Sequence, residues 1–347
     1  MVRINDVRKS NLAFKLSGHA EGLVAVFVGA TSGIGMGTLK QFAKYAKAPK
    51  VYILGRSKKA AAPLLDEIKV SNPEGTFEFI ESEVSLMRNV DLVCDQIKAN
   101  EKKVDIVFMS PGYLSFDSRV ESVEGMDIPH ALRYYTRLRF IYNLIPLLLE
   151  SPNPRVVSIL AGGQESAIDI NDLEVRNNFT FFKAAANGTT QTTLAFEELA
   201  KSYPSISFIH KYPGFVNTGV IARLLATAPG LFYYPAQLAR WVVLPFINLI
   251  STSVDEAGER GLFLATSARF PPAKPKTEFA GVEVQGVPVA ASSVVKDGKG
   301  NGVYRLNADD ESAAESPVLP GYRLDDVGKT VWEETQAAWD RALERSA

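Results

Sequence analysis

The sequence predicts an α/β fold: a doubly wound parallel sheet in a single domain, with an elaborated helical C-terminal region. Three observations carry that expectation. Short apolar runs recur along the first two thirds of the chain, separated by stretches with helical periodicity. The runs are continuously apolar rather than alternating, which suits strands covered on both faces. A glycine-rich turn, Gly29-Ala30-Thr31-Ser32-Gly33-Ile34-Gly35, follows the first run and opens a helical pattern. Strand–helix alternation with right-handed crossovers places helices on both faces of a parallel sheet.

The elements follow in order. Residues 1–22 read as an N-terminal helix or arm, and 23–28 as the first strand. The helix after the glycine turn begins near Ile34 and is over by Pro49. Residues 51–55 form a second strand. Ser57 can cap the next helix, which carries Leu64, Leu65 and Ile68. A third strand covers 77–80, Leu92, Val93 and Ile97 mark a helix, and 104–109 is a fourth strand. A long helix covers roughly 130–150, a fifth strand 155–160, a helix 181–201 and a sixth strand 206–210. Beyond Pro213-Gly214 the chain changes character. Residues 224–268 read as helical and strongly apolar, and the most apolar part, 241–250, is too short to span a bilayer. Residues 271–275 form a loop, and 278–299 suggest no definite element. Residues 302–306 look like a last strand, 307–316 a polar surface loop, and 326–344 an amphipathic helix with Val331, Trp332, Ala338 and Trp339 on its apolar side. The expected organisation is an arm at 1–22, a cofactor-binding core at 23–220, and 221–347 as pocket helices, last strand and terminal helix of the same domain.

Composition narrows the function. The chain has 347 residues, 46% hydrophobic and 22% charged, enough for one well-buried core. A net charge of -1 provides no global field for nucleic acid or an anionic membrane. His19, His130 and His210 are too scattered for a metal site. Cys94 stands alone, so no intrachain disulfide can form, and its surroundings read as core. The first residues carry charges where a secretory signal needs an apolar stretch. Together these features point to a cytoplasmic protein that handles a small molecule.

The glycine turn identifies one ligand. Gly29 permits a tight turn with positive φ. Gly33 and Gly35 carry no side chain where backbone must approach a pyrophosphate and a helix must pack on a strand. The helix N-terminus offers free N–H groups and the positive end of its dipole, flanked by Thr31, Ser32 and Ile34. The turn is thus a dinucleotide-binding motif. The second strand ends Gly55-Arg56-Ser57, where NAD-binding chains place an acid on the ribose hydroxyls. Arg56 would attract a 2′-phosphate that a carboxylate would repel, and Ser57 can add a contact. The cofactor expected is NADP(H).

With Val28 in place of a leading Thr, this turn resembles the TGxxxGxG motif of the short-chain dehydrogenase/reductase superfamily, whose core is a Rossmann fold. The likeness continues in Glu83-Val84-Ser85, in Met109-Ser110-Pro111-Gly112 and in Pro213-Gly214-Phe215-Val216-Asn217-Thr218. It implies Glu83 and Val84 beside the adenine, with Ser110, Pro111 and Gly112 in the cofactor cleft. It also implies Pro213, Gly214 and Val216 against the nicotinamide, and Thr218 on its carboxamide or the phosphates. The family's Ser, Tyr and Lys acid–base set is not reproduced. Ala161 occupies the Ser place, and Phe179, four residues before Lys183, the Tyr place. Arg133 stands near the Asn place on the long helix. Lys183 remains for the ribose hydroxyls. Replacement acids are Tyr113, Tyr134 and Tyr135, together with Gln164 and Glu165 after the fifth strand. Ala161-Gly162-Gly163 and Arg133-Tyr134-Tyr135-Thr136-Arg137 resemble a divergent fungal branch associated with secondary metabolism. The function expected is an NADP(H)-dependent oxidoreductase of a large hydrophobic molecule, with a non-standard proton donor or none. A non-redox cyclase or isomerase on the same scaffold and an NADP(H)-sensing binding protein are the alternatives. In relatives the long helix and the 181–201 helix form a dimer face, so the resemblance also offers a homodimer.

Overall fold

The computed structural model describes residues 2–346 apart from 229, 231–232, 235–236, 239–240, 242–250 and 279. Its strands are β1 (Val24–Val28), β2 (Lys50–Gly55), β3 (Thr76–Glu81), β4 (Ile106–Met109), β5 (Arg155–Ile159), β6 (Ser207–Lys211), a small hairpin of β7 (Val295–Lys296) and β8 (Lys299–Gly300), and β9 (Val303–Leu306). Seven of them build one sheet in the order β3-β2-β1-β4-β5-β6-β9, every pair parallel. The order reverses between β1 and β4, and their carboxyl ends define the crevice where such sheets bind ligands.

Helices cover both faces. On one side lie α1 (Ile4–Leu16), α2 (Gly33–Tyr45), α3 (Lys58–Ser71) and α8 (Val254–Thr266). On the other lie α4 (Met87–Asn100), a continuous run α5, α6 (Phe181–Ser202) and α10 (Val327–Ser346). The run α5 consists of Ile128–His130, a π-helical turn Ala131–Tyr135 and Thr136–Leu148. Short helices α7 (Val220–Ala226) and α9 (Leu319–Leu324) complete the described set. Strand β1 serves both cores: Val24, Val26 and Val28 face the α5 side, and Ala25 and Phe27 the α2 side. Such a strand has no polar face to show, which is why it reads as an unbroken apolar run.

The predicted elements appear in the predicted order. Ser57 caps α3 by accepting the Ala60 N–H at 3.2 Å. The long helix starts earlier than expected because Asp127 caps it, accepting the His130 N–H at 3.0 Å. Cys94 is buried in the core. The arm is a helix docked on α8, where Asn11 Nδ2 donates to Glu259 Oε2 at 2.6 Å. One expectation needs correction. Residues 307–316 are not simply a surface loop, because Asp310 is fully buried between Lys211 and Arg260, each 2.6 Å from its carboxylate. The chain's own α10 packs on the helical face offered for a homodimer. There Thr335 Oγ1 meets the Tyr134 hydroxyl at 2.6 Å, and the buried Trp339 lies under the Arg139 guanidinium. The apolar stretch 241–250 lies outside the described residues apart from Trp241. Among the described residues no helix is long and apolar enough to cross a membrane, and no cluster of His, Cys, Asp and Glu could hold a metal.

Candidate active site

The site grows from the carboxyl ends of β1 and β4. Gly29 leaves β1 with φ +77°, and Gly33 begins α2 with φ +58°, both in the region that favours glycine. A Cβ on Gly29 would stand 2.6 Å from Pro111 Cα, one on Gly35 2.6 Å from the Gly29 carbonyl, and one on Gly33 3.1 Å from Thr218 Cγ2. The Ser110 hydroxyl donates to the Gly29 carbonyl at 3.1 Å. The glycine turn, the end of β4 and the segment after β6 therefore converge on one cradle, too tight for side chains. Ser32 precedes α2 without making a side-chain capping bond, so the first-turn N–H groups are left for a phosphate. This geometry fits a dinucleotide pyrophosphate.

At the end of β2, Arg56 projects into solvent, and its guanidinium is 3.9 Å from the Glu83 carboxylate. An exposed pair at that distance holds neither partner firmly. A Cβ on Gly55 would meet Thr31 Cγ2 at 2.8 Å, so Thr31 lies against this same edge. Glu83 also accepts the Ser85 N–H at 3.2 Å, and the Val84 carbonyl accepts the Thr136 hydroxyl at 2.7 Å. Gly214 has φ +68° and approaches Ala308, and Val216 bridges to Thr252.

Beside the cradle, Arg137 locks the carboxyl ends of β4 and β5 together. Its guanidinium donates to the carbonyls of Leu132, Met109, Ile159 and Pro111 and to Ser158 Oγ, at 2.6–3.3 Å. Burial, with Arg133 alongside, lowers its pKa to about 9. In the sequence Arg137 stands out only as the end of the Arg133-Tyr134-Tyr135-Thr136-Arg137 motif, with no role assigned to it. The available signal is an arginine one turn from Arg133 on a largely apolar helix.

Next to this clamp lies a cleft lined by Tyr113, Pro129, Arg133, Phe179, Phe181 and Ala184, together with Ser115, Asp117, Ser118 and Val120. It continues into an open depression of about 640 Å³ bordered by Phe116, Thr180 and residues 226–228 at the end of α7. Tyr113 is the one phenol among the lining residues. Burial raises its pKa, so it stays protonated at neutral pH.

The other nominated side chains lie elsewhere. Tyr134 is fully buried, hydrogen-bonded to Thr335, and does not line the cleft. Tyr135 packs in the same core. Glu165 is buried and paired with Arg305 at 2.6 Å, and despite its burial that pairing, with His210 and Thr193 nearby, holds its pKa down at about 2. It is an ion-pair anchor rather than a replacement acid. Lys183 sits exposed in the first turn of α6, where its N–H donates to Thr180 Oγ1 at 3.1 Å. Ala161 follows β5, and its N–H donates to His210 Nε2 at 3.2 Å. In the sequence His210 is one of three scattered histidines, with nothing to mark this contact.

Comparison with known proteins gives this geometry a context. A family model described as short chain dehydrogenase matches residues 23–228. The chain is 40% identical to "Oxidoreductase AN1596" of Emericella nidulans over 99% of this chain and 100% of that one. It is 36% identical to "NmrA-like family domain-containing oxidoreductase notO" of an Aspergillus species, over 99% and 96% of the two chains. Among solved structures it resembles RhlG of Pseudomonas aeruginosa, a complex with NADP, at a TM-score of 0.52 and 19% identity, covering 74% of this chain and 93% of the other.

Proposed function

The chain belongs to the short-chain dehydrogenase family, and on that premise we propose that it is an NADP(H)-dependent oxidoreductase acting on a large hydrophobic small molecule in the secondary metabolism of a fungal cytoplasm. The observation that carries this reading is the convergence of Gly29, Gly33 and Gly35 on Pro111, Ser110 and Thr218. Bound there, the nicotinamide cofactor supplies or accepts a hydride. The glycine turn and the α2 N-terminus hold the pyrophosphate. Arg56, loosely engaged by Glu83, is available for a 2′-phosphate, with Ser57 beside it. Pro213, Gly214, Val216 and Thr218 are assigned to the nicotinamide side, and Lys183 to the ribose hydroxyls. The NADP in the RhlG complex agrees with this choice of cofactor.

Ala161 and Phe179 replace the hydroxyls that the family uses for proton transfer. Phe179 keeps the ring in the cleft wall without a proton to give. Tyr113, the one phenol among the lining residues, is then the side chain that can protonate a substrate oxygen. A substrate such as an iminium needs hydride alone and would not call on it. The same two replacements favour a second reading, a non-redox cyclase or isomerase that retains the cofactor as scaffold. Turnover assays on candidate hydrophobic substrates separate the two. The oxidoreductase reading expects NADPH consumed in step with product, and product formed at full rate without nicotinamide cofactor would overturn it. Tyr113→Phe is expected to lower kcat by about 10²–10⁴-fold where a proton is needed.

A further inference from the structure

The other buried arginines of the described chain all donate hydrogen bonds from their terminal nitrogens. Arg137 has its five acceptors, Arg155 donates to the carbonyls of Leu264, Ser267 and Ala280, Arg305 clasps Glu165, and Arg269 reaches Glu311 and the Pro288 carbonyl. Arg133 is different. It is 6% exposed, yet its guanidinium donates no hydrogen bond to any described residue, and its close partner is the Phe181 ring at 5.8 Å. The nearby Asp127 carboxylate is committed to the N–H groups of Val120 and His130, at 2.9 and 3.0 Å. Nor is the guanidinium sealed in: the Nε atoms of Arg155 and Arg269 are closed off without a partner, whereas no nitrogen of Arg133 is.

A cation taken out of water without a hydrogen-bonded counter-charge is costly, and chains rarely keep one without a use. This chain makes room for it. A Cβ on Gly188 would stand 2.6 Å from Arg133 Cδ, so α6 admits the arginine stem only because that position is glycine. The guanidinium lines the cleft beside Tyr113, Phe179 and Phe181, with Arg137 one helical turn away adding a second positive charge.

We propose that Arg133 is the substrate-recognition residue of this cleft, and that the substrate carries a carboxylate, or the chemically equivalent planar enolate of a 1,3-dicarbonyl, on a hydrophobic body. A guanidinium presents paired N–H donors in one plane, matched to two oxygens of one anionic group. The rings of Phe179 and Phe181 take the apolar body. This assignment deepens the oxidoreductase reading and rests on its placing of the substrate in this cleft.

The test uses 2-naphthoate as probe and 2-naphthamide as its neutral isostere, titrated calorimetrically into the full chain with and without NADPH. Naphthoate is expected to bind at least about tenfold more tightly, the margin of one charge-assisted contact. Arg133→Gln should abolish that preference, and Arg133→Lys should keep part of it. A wild-type chain that binds both probes alike, or neither, overturns the proposal even if Arg133→Gln does not fold. So does a preference that survives in Arg133→Gln. Direct NADPH titration of the same proteins reports on the oxidoreductase reading separately. Wild type that prefers naphthoate but does not bind NADPH would refute that reading and leave the role of Arg133 standing.

Discussion

Arg305 closes on Glu165 through two hydrogen bonds, Nε to Oε1 at 2.9 Å and Nη2 to Oε2 at 2.6 Å, tying the last strand of the sheet to the loop that leaves β5. The contact continues inward. Glu165 Oε1 accepts the Thr193 hydroxyl at 2.6 Å, and the Thr193 oxygen meets His210 Nδ1 at 2.9 Å. His210 Nε2 accepts the Ala161 N–H at 3.2 Å, so Nδ1 carries the ring proton and donates to Thr193. The backbone at Ala161 is thus held by a line of bonds that ends on a buried ion pair.

Removing one end of that line should be expensive. Arg305→Leu leaves a buried carboxylate without its cation, and the expected loss of unfolding free energy is about 3–5 kcal/mol. Urea denaturation would measure it. The double variant Arg305→Leu/Glu165→Leu should lose less than the two single losses combined, because no charge is stranded. Strictly additive losses would show that the two groups do not depend on each other.

The same network sets an acid response in two stages. Burial holds the His210 pKa down at about 4, against 6.5 for a free side chain. Its contribution is therefore complete above about pH 6.5 and is lost as the pH falls toward 4, to an extent on the order of 3 kcal/mol. Glu165, with a pKa near 2 against 4.5, contributes above pH 4.5 and is lost only as the pH falls toward 2. Histidine NMR should show the His210 ring neutral at pH 5.5, and chemical denaturation should show stability declining between pH 6.5 and 5. A His210 ring titrating near 6.5 would contradict this arrangement.

Much of the fold was legible because its determinants are local. Continuous apolar runs are what two-sided burial requires, and Ser57 caps a helix only three residues away. The cradle was legible for the same reason, since close backbone approach demands glycine at fixed spacing. What stayed hidden depends on residues far apart in sequence. Glu165 reads as a free acid until Arg305, 140 positions later, is brought to it. Tyr134 and Arg133 are neighbours in sequence, but successive helical residues point in different directions, so one faces the core and the other the cleft. Asp310 sits in a polar stretch that looks solvated, yet it is buried by Lys211 and Arg260 from two other elements. The apolar stripe of α10 was visible, but the face it covers was not.

Gly35 gives a sharp test of the cradle. A Cβ there would collide with the Gly29 carbonyl at 2.6 Å as well as with Ser110 Oγ, and the backbone atom cannot simply rotate away. Gly35→Ala is expected to cost about 1–3 kcal/mol of stability through overpacking. It should also weaken NADPH binding by an order of magnitude or more, read by fluorescence titration. A variant that binds NADPH like wild type would mean that the cofactor does not use this turn.

The central claim, an NADP(H) site whose specificity comes from Arg56, is tested most directly by equilibrium binding of NADPH and NADH to wild type and to Arg56→Glu. One charge-assisted contact to a 2′-phosphate corresponds to a preference for NADPH of about 10–100-fold in the wild-type chain. In Arg56→Glu that preference should vanish or invert toward NADH, because a carboxylate repels the phosphate and can accept from the ribose hydroxyls. Equal affinity of wild type for the two cofactors, or a preference for NADPH that survives in Arg56→Glu, would contradict the account.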